Sequence, residues 1–267
     1  MNKNFLKKNN VGILLISRIG SKRLNNKAKL KIKNLSLVEI LLKRLKIKFR
    51  NENIVICTVD NYGKSFYKKI SRKYGIKLFA GENKNVLKRI IDCMERFNFK
   101  HFVRATADNV MIDANVIDKL VHKHIKNNNE YTYTNCLASG MGSEVFSYKG
   151  LKKCQKNILD QNSTEYLTYF FLRKDIFKIQ CVKIKKYYKF ENRLNISVDY
   201  HNDYKNLKLL IESYKNHIYI DRKTIVKFLK ENTPRKKLKS KIPIISKKYD
   251  ARYKNDSKNK YLYLNNN

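Results

Sequence analysis

Val11-Gly12-Ile13-Leu14-Leu15-Ile16-Ser17-Arg18-Ile19-Gly20-Ser21-Lys22-Arg23-Leu24-Asn25-Asn26-Lys27 is the stretch on which the fold turns. Its first six residues form an unbroken apolar run of strand length, the pattern of a strand covered on both faces and hence of a parallel sheet. The run stops at Ser17 and gives way to a polar, basic loop. Beyond it, Ser36-Leu37-Val38-Glu39 has the Ser-x-x-Glu form of a capping box. It opens a segment with Leu37, Ile40, Leu41 and Leu45 at helical spacing that ends near Phe49. The result is a strand, loop, helix unit.

The unit repeats along the chain. Asn53 to Val59 predicts a second buried strand, Tyr62 to Tyr74 a helix stopped by Gly75, and Ile76 to Phe79 a short strand. Asn85 to Phe97 predicts a helix, His101 to Thr106 a strand and Ala114 to Lys126 a helix. This alternation implies right-handed crossovers and a largely parallel sheet, hence an α/β sandwich of the Rossmann-like, nucleotide-binding kind. The order then loosens. Tyr131 to Asn135, Glu144 to Ser147, Ile179 to Ile184 and Leu194 to Val198 read as strands, and Gln161 to Leu172, Asp203 to Tyr214 and Arg222 to Glu231 as helices. Such a second half fits a small inserted substrate or dimer element packed on the sheet edge.

Composition bounds the function. The 267 residues carry 60 Lys+Arg against 22 Asp+Glu, a formal charge of +38, which raises the question of a polyanionic partner. The lysines are spread over almost every expected helix, and they accompany abundant Asn, Ile, Tyr and Phe, with 0 Trp, 2 Pro and only 8 Gly. The enriched types share A/T-rich codons, so compositional background explains most of the charge. A nucleic-acid-binding role would rest on the basic end after Thr233, which contains Pro234 and Pro243 and is expected to be peripheral or disordered. The 5 cysteines are odd in number, scattered and never in a CxxC pair, which argues against a disulfide framework or a zinc knuckle. His122 and His124 diverge at helical i, i+2 spacing and are not expected to share a metal. The lack of an apolar run of membrane-span length, and of a cleavage site after Ile16, predicts a soluble, cytoplasmic protein with no membrane partner.

Three places can carry chemistry. The loop from Arg18 to Lys27 lies at the carboxyl end of a parallel strand, where open α/β sheets bind ligands. Gly20 lets the backbone approach a phosphate, Ser21 and neighbouring amides donate to it, and Arg18, Arg23 and Lys27 offset its charge; a solvated basic loop is the plainer alternative. Asp108 follows the His101–Thr106 strand and could hold Mg²⁺ against phosphate oxygens, while Asp113 reads more simply as a helix N-cap. Asp199 ends Ile196-Ser197-Val198 and could be the second metal carboxylate; Asp203 is a cap or dipole partner. Together they suggest metal-assisted nucleotidyl transfer.

With these residues in view, the sequence resembles the spore-coat polysaccharide cytidylyltransferase-like family, relatives of the 3-deoxy-manno-octulosonate and acylneuraminate cytidylyltransferases. Arg18, Gly20, Ser21, Arg23, Leu24 and Lys27 match its opening IxARxGSxRLPxK pattern. Gly81 with Asn85-Val86-Leu87-Lys88-Arg89 is similar to its glycine and DVLxR box, and Val103 to Asp113 to its VRxTxDxPxID strand. Glu144-Val145-Phe146, Glu165-Tyr166-Leu167-Thr168 and Ser197-Val198-Asp199 with Asp203 follow in family order.

The resemblance implies a nucleotidyltransferase domain over 1–232, with a sugar or dimer element at roughly 131–190, a tail at 233–267, and a homodimer. It also implies transfer of CMP from CTP to an acidic sugar with release of pyrophosphate. Arg18, Lys27, Asp108 and Asp199 would then be catalytic, and Asp108 and Asp199 would hold Mg²⁺. Ser17, Gly20, Ser21, Arg23, Gly81, Asn85 and Arg89 would join Arg18 and Lys27 on the nucleotide, and Arg104, Glu144 and Glu165 would face the sugar. The chain departs from the pattern where Asn25 and Asn26 replace Pro-Gly, Asn85 the box aspartate, Val110 a proline, and Tyr166 and Tyr169 the histidine and proline of the EHVTP stretch. Asn85 and Tyr166 leave open altered recognition or a degenerate, nucleotide-binding interaction subunit.

Overall fold

The structure is a computed structural model that describes residues 5–20, 23–61, 63–160, 164–165 and 167–233. Ser21, Tyr166 and the expected tail from Pro234 onward lie outside the described residues.

After a short helix α1 (Phe5–Lys8), Val11–Ile16 forms β1, paired in parallel with β4 (Ile54–Val59) on one side and β6 (His101–Thr106) on the other. β5 (Lys77–Gly81) lies parallel beyond β4. On the far side of β6 come β8 (Glu144–Ser147), β7 (Tyr131–Tyr133) and β9 (Ile179–Cys181). The sheet order is thus β5-β4-β1-β6-β8-β7-β9, with β8 the reversed strand. A hairpin of β2 (Lys31–Ile32) and β3 (Leu35–Ser36) sits between β1 and the first long helix.

Helices α2 (Leu37–Lys46), α3 (Lys64–Tyr74), α5 (Ala114–Lys126), α8 (His201–Glu212) and α9 (Arg222–Asn232) pack on one sheet face. There Leu41, Ile70, Leu120, Leu210 and Ile225 meet Ile13, Leu15, Ile56 and Val103. Helices α4 (Val86–Arg96), α6 (Tyr148–Asn157) and α7 (Leu167–Phe171) cover the other face, where Ile90, Leu151 and Phe171 meet Leu14, Val55 and Phe146. Both faces of β1 and β4 are therefore buried, which is why those strands read as unbroken apolar runs.

The chain runs outward from β1 through β4 to β5, then returns across α4 to β6. The switch point lies between β1 and β6, so the loops leaving these two strands share one crevice. The first three crossovers share one hand. α5 lies on the α2 and α3 face, so the β6–α5–β7 connection has the opposite hand, a departure from the uniform right-handedness expected above, and it spans the slot that β8 fills.

Leu194 to Val198 also differs from expectation. It is extended, and Leu194, Ile196 and Val198 are buried, but it joins no sheet: its ladder is a single parallel bridge from Asn195 to Ser139. Its partners are loops. Ser139 N–H donates to Leu194 O, Ile196 N–H to Ser139 O, and Val198 N–H to Asp108 O. Gly140, at φ 90°, permits this approach, since a Cβ there would stand 2.4 Å from Ser197 N.

The capping box on α2 is present: Ser36 N–H and Oγ donate to Glu39, and Ser36 Oγ accepts from Glu39 N–H. Burial alone would raise the Glu39 carboxyl. Hydrogen bonds from Lys73, from the Ser36 amide and hydroxyl and from Tyr74 outweigh it and hold the carboxyl at about 2, below its ordinary 4.5. The folded value is the lower one, so this stabilisation is present above the ordinary value and lost as pH falls through it towards 2. From pH 6 to pH 3, urea unfolding of the native chain should lose about 2 kcal/mol that Glu39→Gln does not lose.

Candidate active site

Ile16 and Thr106 are register partners, so β1 and β6 end together at the switch point. There the loops part. Ala107 N–H still donates to Ile16 O, whereas Ser17 N–H turns to Cys57 O on β4. Ser17 Oγ lies 2.7 Å from the Tyr67 hydroxyl on α3, and both residues are buried. Burial drives the Tyr67 phenol well above its ordinary range, so it keeps its proton and the pair serves as a strut. Ser17 is thereby directed towards α3.

Arg18 Nη2 donates to Glu165 Oε1 at 2.9 Å, a pair open to water on both sides. Ile19 anchors the loop by packing in the core, close against Gly63. Gly20 then takes φ 93°, a turn that favours glycine. The chain returns through Arg23 to Asn26, whose φ of 51° and ψ of 28° lie in the left-handed region, before a short 3₁₀ turn from Lys27 to Lys29. Asn26 supplies the conformation for which the family pattern uses glycine, and asparagine is the side chain that tolerates it best.

That turn delivers Lys27 to the centre of the site. Its side chain is only 12% exposed, and Nζ lies 2.6 Å from Val198 O, 3.2 Å from Asp199 Oδ1 and 3.7 Å from Asp108 Oδ2. Arg23 Nη2 reaches the same Asp199 oxygen at 2.9 Å, its guanidinium 5.9 Å from the Tyr200 ring centre. Asp203 accepts from Asp199 N–H at 3.0 Å and Tyr200 N–H at 2.8 Å, which fixes the backbone that carries Asp199. On the other side Val110, Met111 and Ile112 are fully buried and hold the turn after Asp108. Asp113 is the N-cap of α5, accepting from Asn115 and Val116 N–H. The two aspartates and the basic loop therefore meet at one rim.

Asp108 Oδ1 is buried, and among the described residues it has no hydrogen-bond partner. An orphaned carboxylate oxygen beside a second carboxylate matches the donor set of a hard divalent cation, which takes one or two carboxylates and completes its shell with water and phosphate oxygens. No cluster of three or more metal-ligating side chains occurs among the described residues.

A second group lies on the α7 face of the sheet. Arg104 and Glu144 are register partners across β6 and β8, with Nη1 2.7 Å from Oε2. Glu144 Oε1 also accepts from the Thr168 hydroxyl at 2.7 Å and from the Tyr131 hydroxyl. Burial would lower the Arg104 pKa, but the Glu144 charge, with Asp108 adding to it, raises it, so the guanidinium stays charged. Tyr131 and Thr168 were not expected at the site; only their hydroxyls, brought from separate elements, give them a part.

Gly81 ends β5 at the sheet edge, and its carbonyl accepts from Asp60 N–H. Asn85 is the N-cap of α4, its Oδ1 accepting from Lys88 N–H at 2.8 Å and from Thr164 Oγ1 at 3.3 Å. Its side-chain carbonyl thus does the capping an aspartate would do. Arg89 Nη1 donates to Glu82 O at 2.6 Å and Asn83 O at 3.3 Å, which ties down the loop ahead of α4.

The chain is 31% identical, over 87% of its length and 95% of the relative's, to an uncharacterized protein of Methanocaldococcus jannaschii. It is 21% identical, over 84% of its length and 95% of the relative's, to the spore coat polysaccharide biosynthesis protein SpsF of Bacillus subtilis. A cytidylyltransferase from Leptospira borgpetersenii superposes with a TM-score of 0.77 at 23% identity, over 88% of this chain and 98% of that one. CMP:2-keto-3-deoxy-manno-octonic acid synthetase in complex with CTP superposes with a TM-score of 0.59 at 11% identity, over 76% and 98%. The cytidylyltransferase family pattern itself extends over residues 12–254, and the chain belongs to that family.

Proposed function

We propose that the chain transfers CMP from CTP to a hydroxyl of an acidic sugar and releases pyrophosphate, in the synthesis of a surface polysaccharide. The observation that carries this reading is the meeting of Lys27, Asp108 and Asp199 at the switch point. The similarity to SpsF and the likeness in fold to an enzyme that forms a CMP-sugar acid support the acceptor class.

In this reading the nucleotide lies over the loop after β1. Lys27, Arg23 and Arg18 take the triphosphate, and each has a carboxylate partner to exchange for phosphate oxygens. Asp108 and Asp199 would hold Mg²⁺, which when bound neutralises phosphate charge and helps orient the α-phosphate. Arg104, kept charged and fixed in place by Glu144, would receive the sugar's carboxylate. The sugar hydroxyl attacks the α-phosphorus in line, the bond to the bridging oxygen of the β-phosphate breaks, and the hydroxyl proton leaves to solvent. The side chains contribute position and charge, which carry most of phosphoryl-type transfer.

Asp108→Asn should lower pyrophosphate release from CTP and a nonulosonic or 3-deoxy-octulosonic acid by about a thousandfold or more, with the melting temperature little changed; undiminished turnover would refute the metal assignment. In a thermal-shift comparison of the four nucleoside triphosphates with Mg²⁺, CTP should stabilise most, by about 3 kcal/mol at a hundred times its Kd, and equal shifts would remove the base assignment. Replacing both members of the partly buried pair, Arg104→Gln with Glu144→Gln, should raise KM for the acidic sugar at least about tenfold and leave KM for CTP unchanged; the reverse pattern would move Arg104 to the nucleotide.

A further inference from the structure

The far rim of the sheet holds a cavity of ≈ 560 Å³, where β6, β7 and β9 begin and the reversed β8 ends. It is separated from the switch point by the length of β6, roughly 17 Å at 3.3 Å per residue. Lys100, Lys149, Lys153 and Lys178 line it, against one carboxylate, Glu130. Glu130 is already committed: its Oε2 lies 3.4 Å from Lys153 Nζ and accepts from Lys178 N–H at 3.0 Å. The ammonium groups of Lys100, Lys149 and Lys178 have no carboxylate partner among the described residues. α6 starts at the same rim, with Ser147 Oγ accepting from Gly150 N–H, so the positive end of its dipole adds to the field.

Two residues of this wall, Asn129 and His101, are joined by a chain of neutral side chains that runs through Thr132 and His124. Asn129 Nδ2 donates to Thr132 Oγ1 at 3.1 Å, and Thr132 Oγ1 lies 2.9 Å from His124 Nδ1. His124 Nε2 in turn lies 3.1 Å from His101 Nδ1. Thr132 is fully buried, and its hydroxyl proton has His124 Nδ1 as its acceptor among the described residues. That assigns the His124 proton to Nε2, which donates to His101 Nδ1, and so assigns the His101 proton to Nε2. Burial, with the nearby Lys100 charge adding to it, lowers His101 to about 4; burial, with His101 adding to it, lowers His124 to about 3, so both rings are neutral at pH 7. His101, with Nδ1 taken up by His124 and its proton on Nε2, lines the cavity together with the lysines.

We propose that this cavity is a second ligand site, distinct from the cytidylyltransferase centre, for a small phosphorylated molecule of sugar-phosphate size. Its volume suits such a ligand. Its polar groups include point-charge ammonium donors of the kind that bind phosphate. Lysines occur all over this basic chain, but here four of them line one concavity together with a tautomer-fixed imidazole that serves no part of the transfer reaction.

The test follows the His101 imidazole by ¹H–¹⁵N NMR of the full chain, at constant ionic strength, while ribose 5-phosphate, inorganic phosphate or ribose is added. Ribose 5-phosphate and inorganic phosphate should shift the His101 Nε2 signal saturably below about 10 mM, and ribose should not. Lys149→Gln with Lys178→Gln should weaken both phosphates about tenfold, while Lys27→Gln leaves them unchanged. Absence of a saturable shift, a shift that persists undiminished in the double variant, or one lost in Lys27→Gln would each overturn the proposal.

Discussion

The site depends on one shared cation. Asp108 and Asp199 come from distant parts of the chain and meet at the rim of a low-dielectric sheet, where two carboxylates repel unless positive charge stands between them. Lys27 supplies it from a nearly enclosed position, bonding the Val198 carbonyl and lying within ion-pair distance of both acids. The backbone reinforces the contact, since Val198 N–H donates to the Asp108 carbonyl. Attraction at the side chains and a hydrogen bond at the main chain therefore fix the same juncture.

The fold brings these parts together by topology. β1 and β6 end in register, the loop from one carries the cations, and the turn from the other carries Asp108. The third contributor, Leu194 to Val198, is seated between the Ser139 loop and Asp108 instead of in the sheet, so the position of Asp199 depends on Gly140 and Asp203 more than on any strand.

Much of this was legible in the residues. The apolar run of β1, the Ser36–Glu39 capping box and the Asp113 cap are local patterns, and each appears where its spacing puts it. Helix α6 was not anticipated, because its buried positions reduce to Gly150, Leu151 and Cys154 amid lysines. Leu194 to Val198 carries a true burial pattern, yet alternation cannot say whether the neighbours are strands or loops. Nor could sequence spacing reveal that Ser17 turns to Tyr67, or that the hydroxyls of Tyr131 and Thr168 complete the surroundings of Glu144. One substitution that looks damaging has a local explanation: Asn26 stands in a left-handed turn where the family pattern has glycine, and with only 8 glycines in the chain Asn10, Asn34, Asn98 and Asn128 occupy such turns too.

The pairing of β1 with β6 bears on how the molecule is made. Val11 is partnered by His101, so during synthesis β1 emerges long before the strand that completes its second edge. Until then an apolar edge stands open, the kind of surface that recruits foreign strands. Nascent chains halted before β6 should accordingly be the species most prone to chaperone capture, and joining these two distant segments the slow event in reaching the native state.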